Sequence, residues 1–309
     1  MSAKRLLLVV ALALLAGAVV FVCLAPIASP ALRLWLGWSA RQQNVDCTWT
    51  SIDAPLFRPV VVRNLKVRSR RGAAVAISLD IDRAELDLHL AAFLNSSGVR
   101  ALRQLKLEGV RGEVRYPTSA ERTAHLSLRG WRRLIADNFV LSFGNLRISR
   151  GDVSLELHDV TISASEIESG HLHAGTAIVN TPWFRKTFAG LRGATSWQYD
   201  RLTIGAISLA PGLDLDAITF DFAHLGDDQL RVETSVDAFG GKLRSSISTR
   251  PGAWDVAATA TQISLAQASD GLGLSSRAAG TIQSSKFTFS GDPQHVADAT
   301  ASIWAEAEN

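Results

Sequence analysis

The chain has 309 residues, 47% of them hydrophobic and 20% charged, which suits one large β domain or two smaller domains and excludes a disordered chain. Its formal net charge is only +3 and its pI about 9.1, with arginines interspersed among acids. No basic run with interleaved aromatics dominates any region, so nucleic acid is set aside as a partner.

The first element is a candidate anchor. From Leu6 to Ile27 there is no charged residue, and Lys4 and Arg5 stand just before. About 20 apolar residues in a helix cross the hydrocarbon core of a bilayer. The stretch ends in Ala25-Pro26-Ile27-Ala28, a poor match to the small-residue cleavage site of a secretory signal, so an uncleaved anchor is expected. Val22 precedes Cys23 where a lipidation signal needs a small residue, so Cys23 reads as a buried apolar thiol. Lys4 and Arg5 favour an inside N-terminus with the bulk of the chain outside, although Arg33 and Arg41 balance the count. Trp35 and Trp38 in LRLWLGW fit either the membrane interface or the start of a folded core. The expected division is 1–42 as anchor and juxtamembrane segment and 43–309 as an exported β domain. Cys23 and Cys47 are the only cysteines, and with one in the span no bridge within the chain is expected.

Beyond residue 42 the dominant period is two, the strand pattern. Candidate strands fall at 44–53, 60–70, 74–90, 101–108, 110–117, 123–129, 138–149, 152–165 and 170–180. Others fall at 194–209, 213–223, 229–237, 241–249, 253–264, 276–290 and 297–305. Two short helices are predicted, at 128–137 and 182–192. The second has Thr181 as cap, Pro182 at the first helical position and a stripe of Trp183, Phe184, Phe188 and Leu191. That stripe suits docking on a membrane surface less well than plugging the open end of a sheet. An imperfect recurrence begins at Leu65, Leu105 and Leu146, about 40 residues apart, with a weaker echo at Leu202. Each copy reads as a strand leading through a turn or bulge into the next, so the sheet grows by antiparallel additions.

In AVAISLDIDRAELDLHL, residues 74–90, the apolar residues lie on odd positions up to Ile81 and on even positions from Ala84. A bulge at Asp82–Arg83 that bends a long strand explains the slip and keeps Ile77, Leu79, Leu86 and Leu88 on one inner surface. Asp80, Asp82, Glu85, Asp87 and His89 then form the solvated face, in preference to a metal or acid–base cluster. His171 and His173 share a strand face, but further zinc ligands are not evident, with His125, His158 and His224 in separate strands. No nucleophile elbow, phosphate-binding loop, dinucleotide fingerprint or zinc-protease motif occurs. No catalytic residue, metal or cofactor is expected.

The anchor, the alternating strands and the phrases LFRPVVVRNLKV, LDIDRAELDLHLAAFL and LRQLKLEGVRGEVRY together resemble the N-terminal part of the AsmA-like family of bacterial envelope proteins. DAFGGKLRSSIST (237–249) and AAGTIQSSKFTFSG (278–291) resemble that family's glycine-punctuated strand pairs. The resemblance implies a long, mainly antiparallel β-sheet curled into a groove, apolar inside and polar outside. It would stand in the periplasm on an inner-membrane anchor and serve phospholipid transport between membranes or outer-membrane assembly.

The expected fold class is therefore mainly β: a transmembrane helix, then a curled antiparallel sheet, groove-like or open-barrel-like, with one or two short helices. The expected groove lining includes Val75, Ile77, Leu79, Leu86, Leu88, Leu105, Leu107, Val153, Leu155 and Leu157. Phospholipid acyl chains, the inner membrane and envelope proteins are the expected partners. The rival expectations are a non-enzymatic envelope scaffold that binds proteins through a closed β domain, and an enzyme resting on the acidic cluster or on His171 and His173.

Overall fold

The computed structural model describes residues 45–55, 58–70, 75–88, 102–116, 135–182, 184–227, 229–250, 253–273, 279–292 and 298–308. The anchor, Trp35, Trp38, His89, His125 and the predicted strand 123–129 lie outside these residues. Among the described residues no helix is long and apolar enough to cross a membrane.

One sheet of sixteen strands accounts for almost everything else. It comprises β1 (Val45–Thr48), β2 (Ser51–Asp53), β3 (Val60–Ser69), β4 (Ala76–Leu88), β5 (Leu102–Arg115), β6 (Ala136–Arg150), β7 (Val153–Ser165) and β8 (Gly170–Asn180). It continues through β9 (Arg185–Gln198), β10 (Arg201–Ala210), β11 (Leu213–Asp221), β12 (Leu230–Ala238), β13 (Gly241–Arg250), β14 (Ala253–Ser264), β15 (Thr281–Gly291) and β16 (Thr300–Glu308). The single described α-helix, α1 (Leu265–Leu272), follows β14 directly. From β3 onward each strand lies beside its neighbours in sequence, while β1 and β2 both pair with β3. The sheet is curled but not closed, with β1 and β2 at one edge and β16 at the other, so the closed-domain expectation is not met.

One neighbour pair departs from the antiparallel expectation: β5 and β6 are parallel, from Leu102 opposite Ala136 to Arg115 opposite Ser149. Parallel neighbours need a crossover of a dozen or more residues, and 116–135 supplies it. Part of that stretch is the predicted helix 128–137, of which Ala136 and Asp137 are strand and residues up to 134 lie outside the description.

The phase slip in β4 belongs to a line that crosses the sheet. Ladder registers of β3 with β4 are the same on either side of it, Arg63 opposite Arg83 and Leu65 opposite Ile81, so β4 has no isolated bulge there. Its neighbours slip with it. The pairs omitted from the ladders along this line include Asn64 with Asp82, Ile81 with Val110, Asp82 with Gly109, Gly144 with Asp159, Asp159 with Gly175 and Gly175 with Gly190. On the far side of β3 the line also separates β1 from β2, which keep a common register against β3. Along the line every second strand places one residue in the left-handed region: Asn64 (φ 51°), Gly109 (φ 66°), Asp159 (φ 52°) and Gly190 (φ 64°). Asn, Asp and Gly are the residues that adopt it most readily. Each kink swaps the parity of the inward side chains, so Val60 and Val62 hand over to Leu65 and Val67, and Ile77, Leu79 and Ile81 to Ala84, Leu86 and Leu88. A single bulge at Asp82–Arg83 is thus corrected to a shared kink. The expected consequence, one continuous inner surface, is present.

The sheet bends sharply at β8, where β7 and β9 approach each other. The Thr195 hydroxyl of β9 donates to the Ser163 carbonyl of β7, two strands away. Gly170 leaves the room for this, since a Cβ there would stand 2.0 Å from the Ser163 carbonyl oxygen and 2.3 Å from Thr195 Oγ1.

Several predicted boundaries are overturned. Residues 185–198 form strand β9, where 182–192 was expected to be helical. The kink at Ala189–Gly190 puts Phe188 and Leu191 on one face three residues apart, so a slipped strand imitates a helical stripe. Thr181 closes the β8–β9 turn, its amide and hydroxyl both donating to the Phe184 carbonyl. The predicted strands 101–108 and 110–117 are one strand through Gly109, and 194–209 is broken by Tyr199 and Asp200. Both have positive φ, as a two-residue hairpin turn of type I′ requires. Helix α1 was missed. Its signal is Ser264, whose hydroxyl accepts from the Gln267 amide, with Gly273 ending the helix at φ 68°. The recurrence does not map onto one unit either: copies from Leu65, Leu146 and Leu202 are hairpins, but the copy from Leu105 lies within β5.

Candidate apolar groove

Ladder registers assemble the inward residues into rows that run across strands. One row is Leu65, Ile81, Val110, Phe143, Val160, Ala174 and Leu191. Trp197 on β9 is fully buried and meets Phe139 of β6 edge-to-face at 5.7 Å, and Phe222 at 5.9 Å. These rings fill the interior between β6 and β11 together with Val160, Leu202 and Ile204. A second cluster, Ile52, Val62, Ile81, Ala84 and Val110, underlies β2 to β5. A third lies under α1, where Phe239, Ala260 and Ile263 pack against Ala268 and Leu272.

From β12 to β16 the same face is open. The rows continue as Val232, Ile247, Val256, Phe289 and Ala301, and as Val236, Leu243, Ala260, Ser285 and Ala305. Leu243 and Phe287 remain 38% and 37% exposed, and Ile303 on the last strand 81%. Large apolar side chains are therefore left in water along a surface whose opposite face is polar. Burying a side chain of this size contributes about 1.5–3 kcal/mol, so such a face favours a cover.

The expected lining residues all stand on this inner face. Leu79, Leu86, Leu88 and Leu107 are half-buried against the second cluster, and Leu157 against the first. Ile77 pairs across to Val114, Leu105 to Leu86, and Leu155 to Ile148. Val75 is buried just before β4. Val153 begins β7 on the same face but is 46% exposed beside the Gly151–Asp152 turn. Trp197, Phe139, Leu243 and Phe287 were not singled out by sequence, because alternation marks every inward residue alike.

The outer face is a lattice of cross-strand ion pairs. Asp80 meets Arg68 at 2.9 Å, Asp82 meets Arg111, Glu85 meets Arg83, and Asp87 meets Arg103 at 3.8 Å. The acids of the sequence cluster are thus each turned to a different cation. Lys106 donates to Glu108 at 2.6 Å and holds that carboxyl below the usual carboxylate range. Asp255 is likewise held low, by the Ser290 hydroxyl first and by Arg250 after it. Such exposed pairs contribute little each. Among the described residues no three His, Cys, Asp or Glu side chains converge as a metal site would need. His171 Nδ1 lies 2.9 Å from Ser163 Oγ, and His173 is exposed beside it. His224 sits in a turn, 3.9 Å from Asp227. An open hollow of about 650 Å³ is lined by Gly170–His173 and Arg192–Ala194.

Cys47 faces inward from β1 opposite Val67. Burial, and then the charge of Asp46, push its thiol above the usual value. Because the thiolate is the nucleophile, iodoacetamide at pH 8 should alkylate Cys47 several-fold more slowly in the folded chain than in urea. Peptide mass spectrometry reads both rates, and equal rates would contradict the placement.

Comparison with family models, curated proteins and solved structures finds no match for this chain.

Proposed function

We propose that this chain is a non-enzymatic, inner-membrane-anchored envelope protein whose periplasmic β domain holds phospholipid acyl chains along its apolar inner face. Its task is phospholipid transport between membranes or outer-membrane assembly. The observation that carries the reading is an unclosed sheet with one ion-paired face and one apolar face, the latter exposed from β12 to β16 at Leu243, Phe287 and Ile303. Acyl chains are suited to cover such a face, each methylene removed from water contributing about 0.8 kcal/mol. The apolar stretch Leu6–Ile27 and the resemblance to the AsmA-like family agree with it.

The test is mass spectrometry of lipid that copurifies with the full chain. Phospholipid is expected, and its amount should fall several-fold in a Leu243→Asp, Phe287→Asp variant. Because both side chains are already one-third exposed, the variant should keep its unfolding transition within about 1 kcal/mol of the parent. Lipid-free parent protein would sink the reading.

A second reading rests on the edge strand. β16 is exposed throughout, with Ile303 on one face and Trp304 on the other, and such an edge can recruit a strand from a protein partner. A scaffold of this kind would give protein crosslinks from β16 in cells and no lipid adducts from Leu243 or Phe287.

A further inference from the structure

The sheet has a seam in its wall. β9 and β10 are paired only from Gln198 opposite Arg201 to Ala194 opposite Gly205. Beyond that point β9 runs on to Arg185 against β8 alone, and β10 runs on to Ala210 against β11 alone. From Lys186 to Gly193 this is about 23 Å of strand at ~3.3 Å per residue, with no ladder across it. Side chains close the gap instead: Leu191 and Ile207 are buried in one cluster, with Phe188 and Leu209 packed against it. At the far end Lys186 Nζ donates to the Gly271 carbonyl of α1 at 2.8 Å. Ala206, at the root of the seam, is held at φ 54°, a conformation costly for a residue with a Cβ.

The root is also where charge is left uncompensated. β8 and β9 contain no Asp or Glu, whereas the cations of β4, β5, β10, β12 and β13 have acids within reach. Among the described residues Arg192 has no ion pair or hydrogen-bonded partner, and it lines the hollow together with His171 and His173. An exposed guanidinium and two imidazoles over backbone suit a phosphate group.

We propose that the β9–β10 seam is a lateral portal through which an anionic phospholipid enters the groove, with its phosphate held in the hollow by Arg192, His171 and His173. The inference rests on the lipid-groove reading and adds the route and the headgroup preference. Opening the seam separates apolar side chains and one Lys186 hydrogen bond, whereas opening elsewhere between β3 and β15 would break a backbone ladder.

The test uses the full chain in nanodiscs of phosphatidylcholine with or without phosphatidylglycerol, carrying a benzophenone at position 215 in place of Leu215 to trap lipid inside. In a Cys23→Ala, Cys47→Ala background, Ala189→Cys and Ser208→Cys are joined across the seam by a cleavable bis-maleimide. Lipid adducts should fall when the linker is in place and return when it is cut. Separately, Arg192→Gln with His173→Gln should reduce phosphatidylglycerol adducts about fivefold, the size expected for exposed charge contacts, and spare phosphatidylcholine adducts. Adducts indifferent to the linker would overturn the portal and leave the groove reading standing. Equal loss of both lipids, or suppression by millimolar inorganic phosphate alone, would overturn the headgroup site. No adduct in any form would overturn the groove reading, and the portal with it.

Discussion

Replacing Trp197 with alanine is expected to lower the unfolding free energy by about 3–5 kcal/mol, the range for removing a large aromatic from a packed interior. The side chain is 2% exposed and meets Phe139 of β6 and Phe222 beyond β11, so it joins strands that no ladder connects. A sheet that does not close has no ladder between its edges to hold its curl, so interior rings that touch across it contribute much of that hold. Urea unfolding followed by far-ultraviolet circular dichroism gives the number. Trp197→Phe should recover a large part of the loss, since a ring of intermediate size keeps the contact with Phe139. A loss under 1 kcal/mol for the alanine variant would mean that the curl is fixed elsewhere.

The distribution of packing along the sheet divides labour. Between β2 and β11 the interior is occupied by its own side chains, including fully buried Val62, Val110 and Trp197. From β12 to β16 only the end under α1 is filled, and the rest of the face is open. The first half supplies the stability that the second half, with apolar rows facing water, does not generate for itself. Under the proposed function the open half is where acyl chains gain most, and the seam between β9 and β10 lies close to the boundary between the two.

Fold class and the inward face were legible because period two is a direct consequence of strand geometry, so Leu79, Leu86 and Leu155 could be assigned to a face without knowing their neighbours. Kinks were where the reading failed. In β9 the slip at Ala189–Gly190 placed Phe188 and Leu191 at helical spacing, and in β5 Gly109 looked like a turn between two strands. A left-handed residue inside a strand and one in a hairpin carry the same local chemistry. Only the ladder decides between them: Gly109 has Asp82 beside it within a ladder that resumes, whereas Tyr199 and Asp200 lie past the end of the β9–β10 ladder, which closes at Gln198 opposite Arg201. The parallel pairing of β5 with β6 was out of reach for a related reason, since alternation states which face is inward and is silent on direction. The seam was invisible as well, because Leu191 and Ile207 alternate as their laddered neighbours do.

The kink line itself makes the last prediction. Gly109→Val should destabilise the chain by about 2 kcal/mol or more, because a β-branched residue at φ 66° is forced into a conformation that L-residues avoid. Its Cβ would also stand 2.1 Å from Asp82 Oδ2, so Asp82 must move and its pairing with Arg111 is disturbed. The reverse experiment has the opposite sign. Ala206 occupies the same region at φ 54° on an exposed position, so Ala206→Gly relieves its Cβ and should stabilise by about 0.5–1 kcal/mol after the entropy lost to glycine. Measured together by urea unfolding, the two substitutions separate backbone conformation from side-chain contact, since Ala206 is exposed and Gly109 has no side chain to lose. If both variants moved stability in the same direction, left-handed residues could not be what lets the strands change phase without leaving their ladders. With opposite signs, the slip that begins between β1 and β2 and runs through Asn64, Gly109, Asp159 and Gly190 is a backbone device, and the inner face stays apolar on both sides because of it.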